Sequence, residues 1–104
     1  MLKKSERLSK KDFSAISNKK ILRGQYLDIG YLLSSKTKCA VVVSKKISKR
    51  AVDRNKIKRK IFNIFREIKL KDSCFIIFYP KKEVLYLPYE KLKLNILEMS
   101  VKIQ

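Results

Sequence analysis

The chain contains no histidine and no tryptophan. Without histidine, the usual general base near neutral pH is missing, and so is the commonest nitrogen ligand for a metal. Glycine is scarce. Gly24 and Gly30 are the only two, so no glycine-rich loop can cradle a phosphate. Cys39 and Cys74 lie 35 residues apart, each at the start of an apolar run. Their spacing fits neither a C-x-x-C pair nor a zinc set, and both read as small buried hydrophobes. Acids number nine against 27 Lys and Arg. Asp12, Asp28, Asp53 and Glu67 form no D-x-D or E-x-x-E pair that would hold two metal ions. A self-sufficient active site is therefore not expected. The longest apolar run, residues 74–79, is far short of the about 20 residues that cross a bilayer. The basic residues at the N-terminus are followed by no apolar segment, which leaves no secretion signal to read. A cytoplasmic protein without a membrane partner is expected.

What is abundant is positive charge. The 104 residues carry a net charge of +18, and 45% of them are hydrophobic. That length suits one domain, residues 1–104, with one small core. Such a charge repels itself and favours a polyanionic partner, nucleic acid above all. A lysine-rich solvated surface is the plainer alternative, and the excess of Lys over Arg, 21 against 6, is in keeping with it. Biased composition alone would spread the charge. Instead, residues 45–60 hold nine of the 27 basic side chains and a single acid, Asp53.

Periodicity places this segment in a fold. Ser9, Asp12 and the Leu8–Phe13 staple predict a short helix over residues 10–17. Residues 26–33 alternate, with Leu27, Ile29, Tyr31 and Leu33 on the expected core face. After a polar turn, residues 39–44 read as a second strand, and the two are expected to pair as an antiparallel hairpin. The basic segment then opens a helix that ends near residue 70. Ile57, Ile61, Ile64, Phe65 and Ile68 form a core stripe roughly 100° wide. Asn55, Lys58, Arg59, Phe62 and Arg66 fall on the far side, and Arg54 lies at the stripe's edge. On this reading Phe62 is an exposed aromatic among cations, free to stack on a base or to cover neighbouring apolar surface. Residues 74–79 are apolar throughout, as suits a central strand. Pro80 and Pro88 bracket a loop. Residues 89–103 make a last helix, with Leu92, Ile96, Met99 and Ile103 inward. The expected architecture is an α-β-β-α-β-α α+β sandwich over a small sheet.

The run Val43-Ser44-Lys45-Lys46, then Ala51-Val52-Asp53-Arg54-Asn55-Lys56-Ile57-Lys58-Arg59, resembles the signature of the bacterial ribonuclease P protein component. Asp12-Phe13 with Ile16, Phe75-Ile76-Ile77 and Tyr89-Glu90 fall at that family's spacings as well. The resemblance implies a ribosomal-protein-like fold with a small mixed sheet and a left-handed β-α-β crossover, against the usual handedness rule. It implies the small subunit of a ribonucleoprotein that cuts the 5′ leader from precursor tRNA. The catalysis is performed by a large RNA with its bound Mg2+, and one protein copy serves each RNA. Ribonuclease P RNA and precursor tRNA are then the partners. A small basic ribosomal protein is the alternative function with the same charge and size.

Carried over by position, Arg54, Asn55, Lys58 and Arg59 match the motif. Lys56 replaces an arginine and loses its planar fork. Phe62 stands where another arginine is common. With Lys45, Lys46, Lys49, Arg50 and Arg66, these cations are expected to meet the catalytic RNA. Phe13 and Ile16 of the first helix, Tyr26 or Tyr31, and Val42 and Ser44 are the candidates for a cleft that holds the leader. Ser17 stands where the family has a second ring. Alternation puts Ile29 in the core and Tyr26 on the other face, whereas an alignment anchored on Gln25 would put Ile29 in the cleft.

Overall fold

A computed structural model describes residues 19–34, 37–68 and 73–103. The expected first helix, with Phe13, Ile16 and Ser17, lies outside the described residues. The described residues form four strands: β1 (Lys20–Leu22), β2 (Leu27–Leu33), β3 (Lys38–Val41) and β4 (Cys74–Pro80). Helix α1 (Ala51–Glu67) joins β3 to β4, and helix α2 (Tyr89–Val101) follows a 3-10 turn, Lys82–Tyr86.

The sheet order is β1-β2-β4-β3. Strand β4 sits centrally because it is apolar towards both faces, with Ile76 and Phe78 on one and Ile77 on the other, all buried. It pairs antiparallel with β2 and parallel with β3. The expected β2–β3 hairpin does not form. The Ser34 N–H, just past β2, bonds the Ser73 carbonyl at 3.0 Å, so the end of β2 is tied to the start of β4. Proximity in the chain favours neighbouring strands, but only β4 can stand buried on both faces, so it separates the other two. Strand β1 was not anticipated: three residues are too few to show a period, and its Lys20 suits a short sheet edge.

The register sorts the residues onto two faces. Leu27, Ile29, Cys39, Val41, Cys74, Ile76 and Phe78 share one face and one buried cluster. Ile29 is therefore core, as alternation requires. Ile57, Ile61, Ile64 and Phe65 of α1 join this cluster, and so do Leu92, Ile96 and Met99 of α2. Phe65 meets Phe78 edge-on, with ring centroids 6.1 Å apart. Asp28, Gly30, Leu32, Lys38, Ala40, Phe75, Ile77 and Tyr79 point the other way. Both cysteines are buried. The segment between the prolines is not an open loop. Val84 and Leu87 bury themselves in the cluster and wind it into the 3-10 turn.

Helix α1 ends at Glu67, earlier than expected, and the Ile68 N–H closes back on the Phe65 carbonyl at 3.1 Å. Lys93 of α2 reaches Glu67 at 2.7 Å. That carboxylate, by hydrogen bond and charge, holds the Lys93 ammonium above its ordinary pKa.

Candidate nucleic-acid interface

The basic segment is built rather than loose. The Val42 N–H continues the ladder to the Phe78 carbonyl at 2.9 Å, and Ile47 closes a turn on the Ser44 carbonyl at 3.1 Å. Ile47 is buried and plugs the turn into the core. Ser48 then ties the turn to the helix. Its hydroxyl donates to Asp53 at 3.0 Å and accepts the Arg50 N–H at 3.2 Å. Its carbonyl accepts from the Arg54 guanidinium at 2.8 Å. Arg50 itself is the N-cap and offers no side-chain cap, so Ser48 takes over part of that task. Asp53, the segment's only acid, lies in the first turn of α1, where the helix dipole favours it.

This scaffold displays the cations. Lys45, Lys46, Lys49 and Arg50 are exposed on the turn, and Asn55, Lys56, Arg59 and Arg66 are exposed on α1. Arg54 and Lys58 are half-buried. Among the described residues, no ion pair engages any of these cations. Phe62 departs from expectation: it is 6% exposed and belongs to the core cluster. The stripe is wider than the strand contacts alone would need, because α1 also touches α2 and the 3-10 turn on its flank. Phe62 sits ~60° round the helix from Phe65, which brings it under that cover. Its ring is not available to stack on a base.

The cleft candidates among the described residues are dispersed. Tyr31 pairs with Ile76 on the helix-covered face, and both Tyr31 and Tyr26 pack half-buried against the core. Val42 and Ser44 are exposed beyond the end of β3. The opposite sheet face instead presents Phe75 and Tyr79 half-buried, with Gly30 between β1 and β4. A Cβ on Gly30 would lie 2.8 Å from the Lys19 side chain, so Lys19 runs close over this face. Sequence reasoning read β4 as uniformly apolar and so did not separate its two faces.

Sheet order also gathers charge that the sequence disperses. Strands β3 and β4 are parallel, so the basic turn and the 3-10 turn leave the sheet at the same end. Leu27 pairs with Pro80, which brings the β1–β2 turn there too. Lys81 fastens it: its N–H bonds the Tyr26 carbonyl at 2.9 Å and its ammonium the Gly24 carbonyl at 2.5 Å. Asp28 completes the clasp with Arg23 at 3.2 Å and the Gly24 N–H at 3.2 Å. Gly24 is required here, since a Cβ would stand 2.4 Å from the Leu27 carbonyl oxygen. Arg23, Lys81 and Lys82 thus stand at the same end of the sheet as residues 45–50. Among the described residues, no group of three or more His, Cys, Asp or Glu side chains could hold a metal ion.

Among the described residues, a four-stranded mixed sheet with two α-helices, its cations gathered at one end, defines a small basic α+β domain. The same fold is found in the ribonuclease P protein of Thermotoga maritima, with a TM-score of 0.84 and 25% identity, over 95% of this chain and 98% of that one. The ribonuclease P protein of Staphylococcus aureus matches with a TM-score of 0.80 and 23% identity, over 96% and 95%. In sequence, the chain is 45% identical over 60 residues to the ribonuclease P protein component of Pseudanabaena sp. (strain PCC 6903), covering 53% of this chain and 52% of that one. With the Thermus scotoductus ribonuclease P protein component it shares 34% over 65 residues, 62% of this chain and 40% of that one. The chain thus matches about half the length of these curated relatives, or less. The family model described as Ribonuclease P matches residues 2–104, and the chain belongs to that family.

Proposed function

We propose that the chain is the protein subunit of a bacterial ribonuclease P, acting in the cytoplasm with one copy per RNA. The observation that carries this reading is the cation set on residues 45–66. Its members are exposed or half-buried, without ion-pair partners among the described residues, and fixed in place by Ile47 and Ser48. Arg54, Asn55, Lys56, Lys58, Arg59 and Arg66, with Lys45, Lys46, Lys49 and Arg50, meet phosphates of the catalytic RNA and release its counterions. Arg54 acts partly from behind, since its guanidinium also holds the Ser48 carbonyl. The second sheet face, with Phe75 and Tyr79 half-buried on it, suits a single-stranded 5′ leader of precursor tRNA held by stacking and backbone charge. Catalysis belongs to the RNA, whose bound Mg2+ supplies the hydrolytic chemistry. The protein contributes substrate affinity and selects precursor over product, because only the precursor has a leader.

Reconstitution tests this. A bacterial ribonuclease P RNA with this protein should bind precursor tRNA more tightly than mature tRNA, by a wider margin than the RNA alone. An unchanged margin would refute the leader-binding reading. If about six to ten phosphate contacts form, affinity for the RNA should fall on the order of 10³–10⁵ between 50 and 200 mM salt.

A further inference from the structure

Tyr86 is the most exposed large hydrophobic side chain among the described residues, at 85%. It is not on a loose loop. Val84 and Leu87, on either side, are buried in the core, and Leu85 packs against it. The Val84 N–H closes on the Lys81 carbonyl at 3.1 Å and the Leu87 N–H on the Val84 carbonyl at 3.3 Å. A rigid base therefore holds the ring in solvent. Lys82, Glu83 and Tyr86 together line an open concavity of about 220 Å³. The 3-10 turn contacts α1 and leaves the sheet at the same end as the basic turn, in the company of Arg23, Lys81 and Lys82.

A lone ring ringed by charge is a poor seat for a protein, which would need a contiguous apolar patch. It is a good seat for a nucleotide, whose base stacks on the ring while an ammonium meets its phosphate. Val84 and Leu87 join the cluster on the helix-covered side of the sheet. The turn that carries the ring thus packs on the side of the sheet that α1 covers, and it contacts α1.

We propose that Tyr86 stacks on an unpaired base of the large RNA held by residues 45–66, with Lys82 neutralising an adjoining phosphate. The inference rests on the RNA-binding reading above. The chain has no tryptophan, so Tyr86→Trp installs a single fluorescent reporter at the site. A transcribed bacterial ribonuclease P RNA should quench its emission. At fixed salt, Tyr86→Ala should weaken binding of that RNA roughly 5- to 150-fold, while Tyr86→Trp and Tyr86→Phe keep parental affinity. All three should unfold like the parent, because Tyr86 is 85% exposed. Affinity of Tyr86→Ala within twofold of the parent, or unchanged emission at saturating RNA, overturns the stacking. Quenching by a leader oligonucleotide but not by the large RNA overturns the choice of partner. If Lys49→Ala combined with Arg59→Ala also leaves affinity unchanged, the RNA-binding reading falls and takes this one with it.

Discussion

A phenylalanine ring that is 6% exposed leaves a hole when it is cut back. Phe62→Ala should therefore cost about 3–5 kcal/mol of stability by denaturant unfolding. A loss within about 0.5 kcal/mol, the range of a surface change, would return Phe62 to the exposed side of α1. Cys39 makes a different residue-scale case. Burial alone pushes its thiol far above the ordinary value of 9.0. Above about pH 9 the unfolded chain releases this proton and the folded chain keeps it. The stability so contributed is complete below that pH and drains away as pH rises, at a limit of about 1.4 kcal/mol per pH unit. Unfolding at pH 8 and pH 10.5 should show a steeper fall for the parent than for Cys39→Ala. Parallel falls would mean that the thiol is not shielded. Of the two, Cys39 was legible as a buried hydrophobe and is one, whereas Phe62 was misplaced because a helical wheel registers one packed side and α1 is covered on two.

At the scale of elements, the turn before α1 and the helix's first turn form one unit through Ser48, Asp53 and Arg54. Neither Arg54 nor Arg59 belongs to the apolar stripe of α1. The structure separates them. Arg54→Ala removes a charged hydrogen bond to the Ser48 carbonyl and should cost about 1–2 kcal/mol. Arg59 is exposed, and Arg59→Ala should stay within about 0.5 kcal/mol of the parent. Both should weaken RNA binding. Equal unfolding midpoints for the two variants would remove Arg54 from the scaffold. Helices α1 and α2 were legible because their stripes repeat: in α2 and just past its end, Leu92, Ile96, Met99 and Ile103 are all buried where the spacing put them. The Ser48 hub was not legible, since a serine in a basic spacer signals nothing until its hydroxyl finds Asp53.

For the whole molecule, a net charge of +18 acts as a single term. Self-repulsion opposes the compact state and salt screens it. Raising NaCl from 50 to 500 mM should therefore raise the melting temperature even as it weakens RNA binding. Each 1 kcal/mol gained is worth roughly 4–8 °C in a domain of this size. A melting temperature that falls with salt would show that attractive pairs, such as Lys93–Glu67, outweigh the repulsion. Composition, the density of cations in residues 45–60 and the apolar periods determined by themselves that the chain folds around one core and turns a basic helix outward. These are one-dimensional properties, carried by residue type and spacing. Only the tertiary structure decided that β4 stands between β2 and β3, and that Phe62 is covered. It alone brought Arg23, Lys81, Lys82 and Tyr86 to the end of the sheet where residues 45–50 emerge. Pairing across a sheet joins residues with no fixed separation along the chain, so no period in the sequence records it.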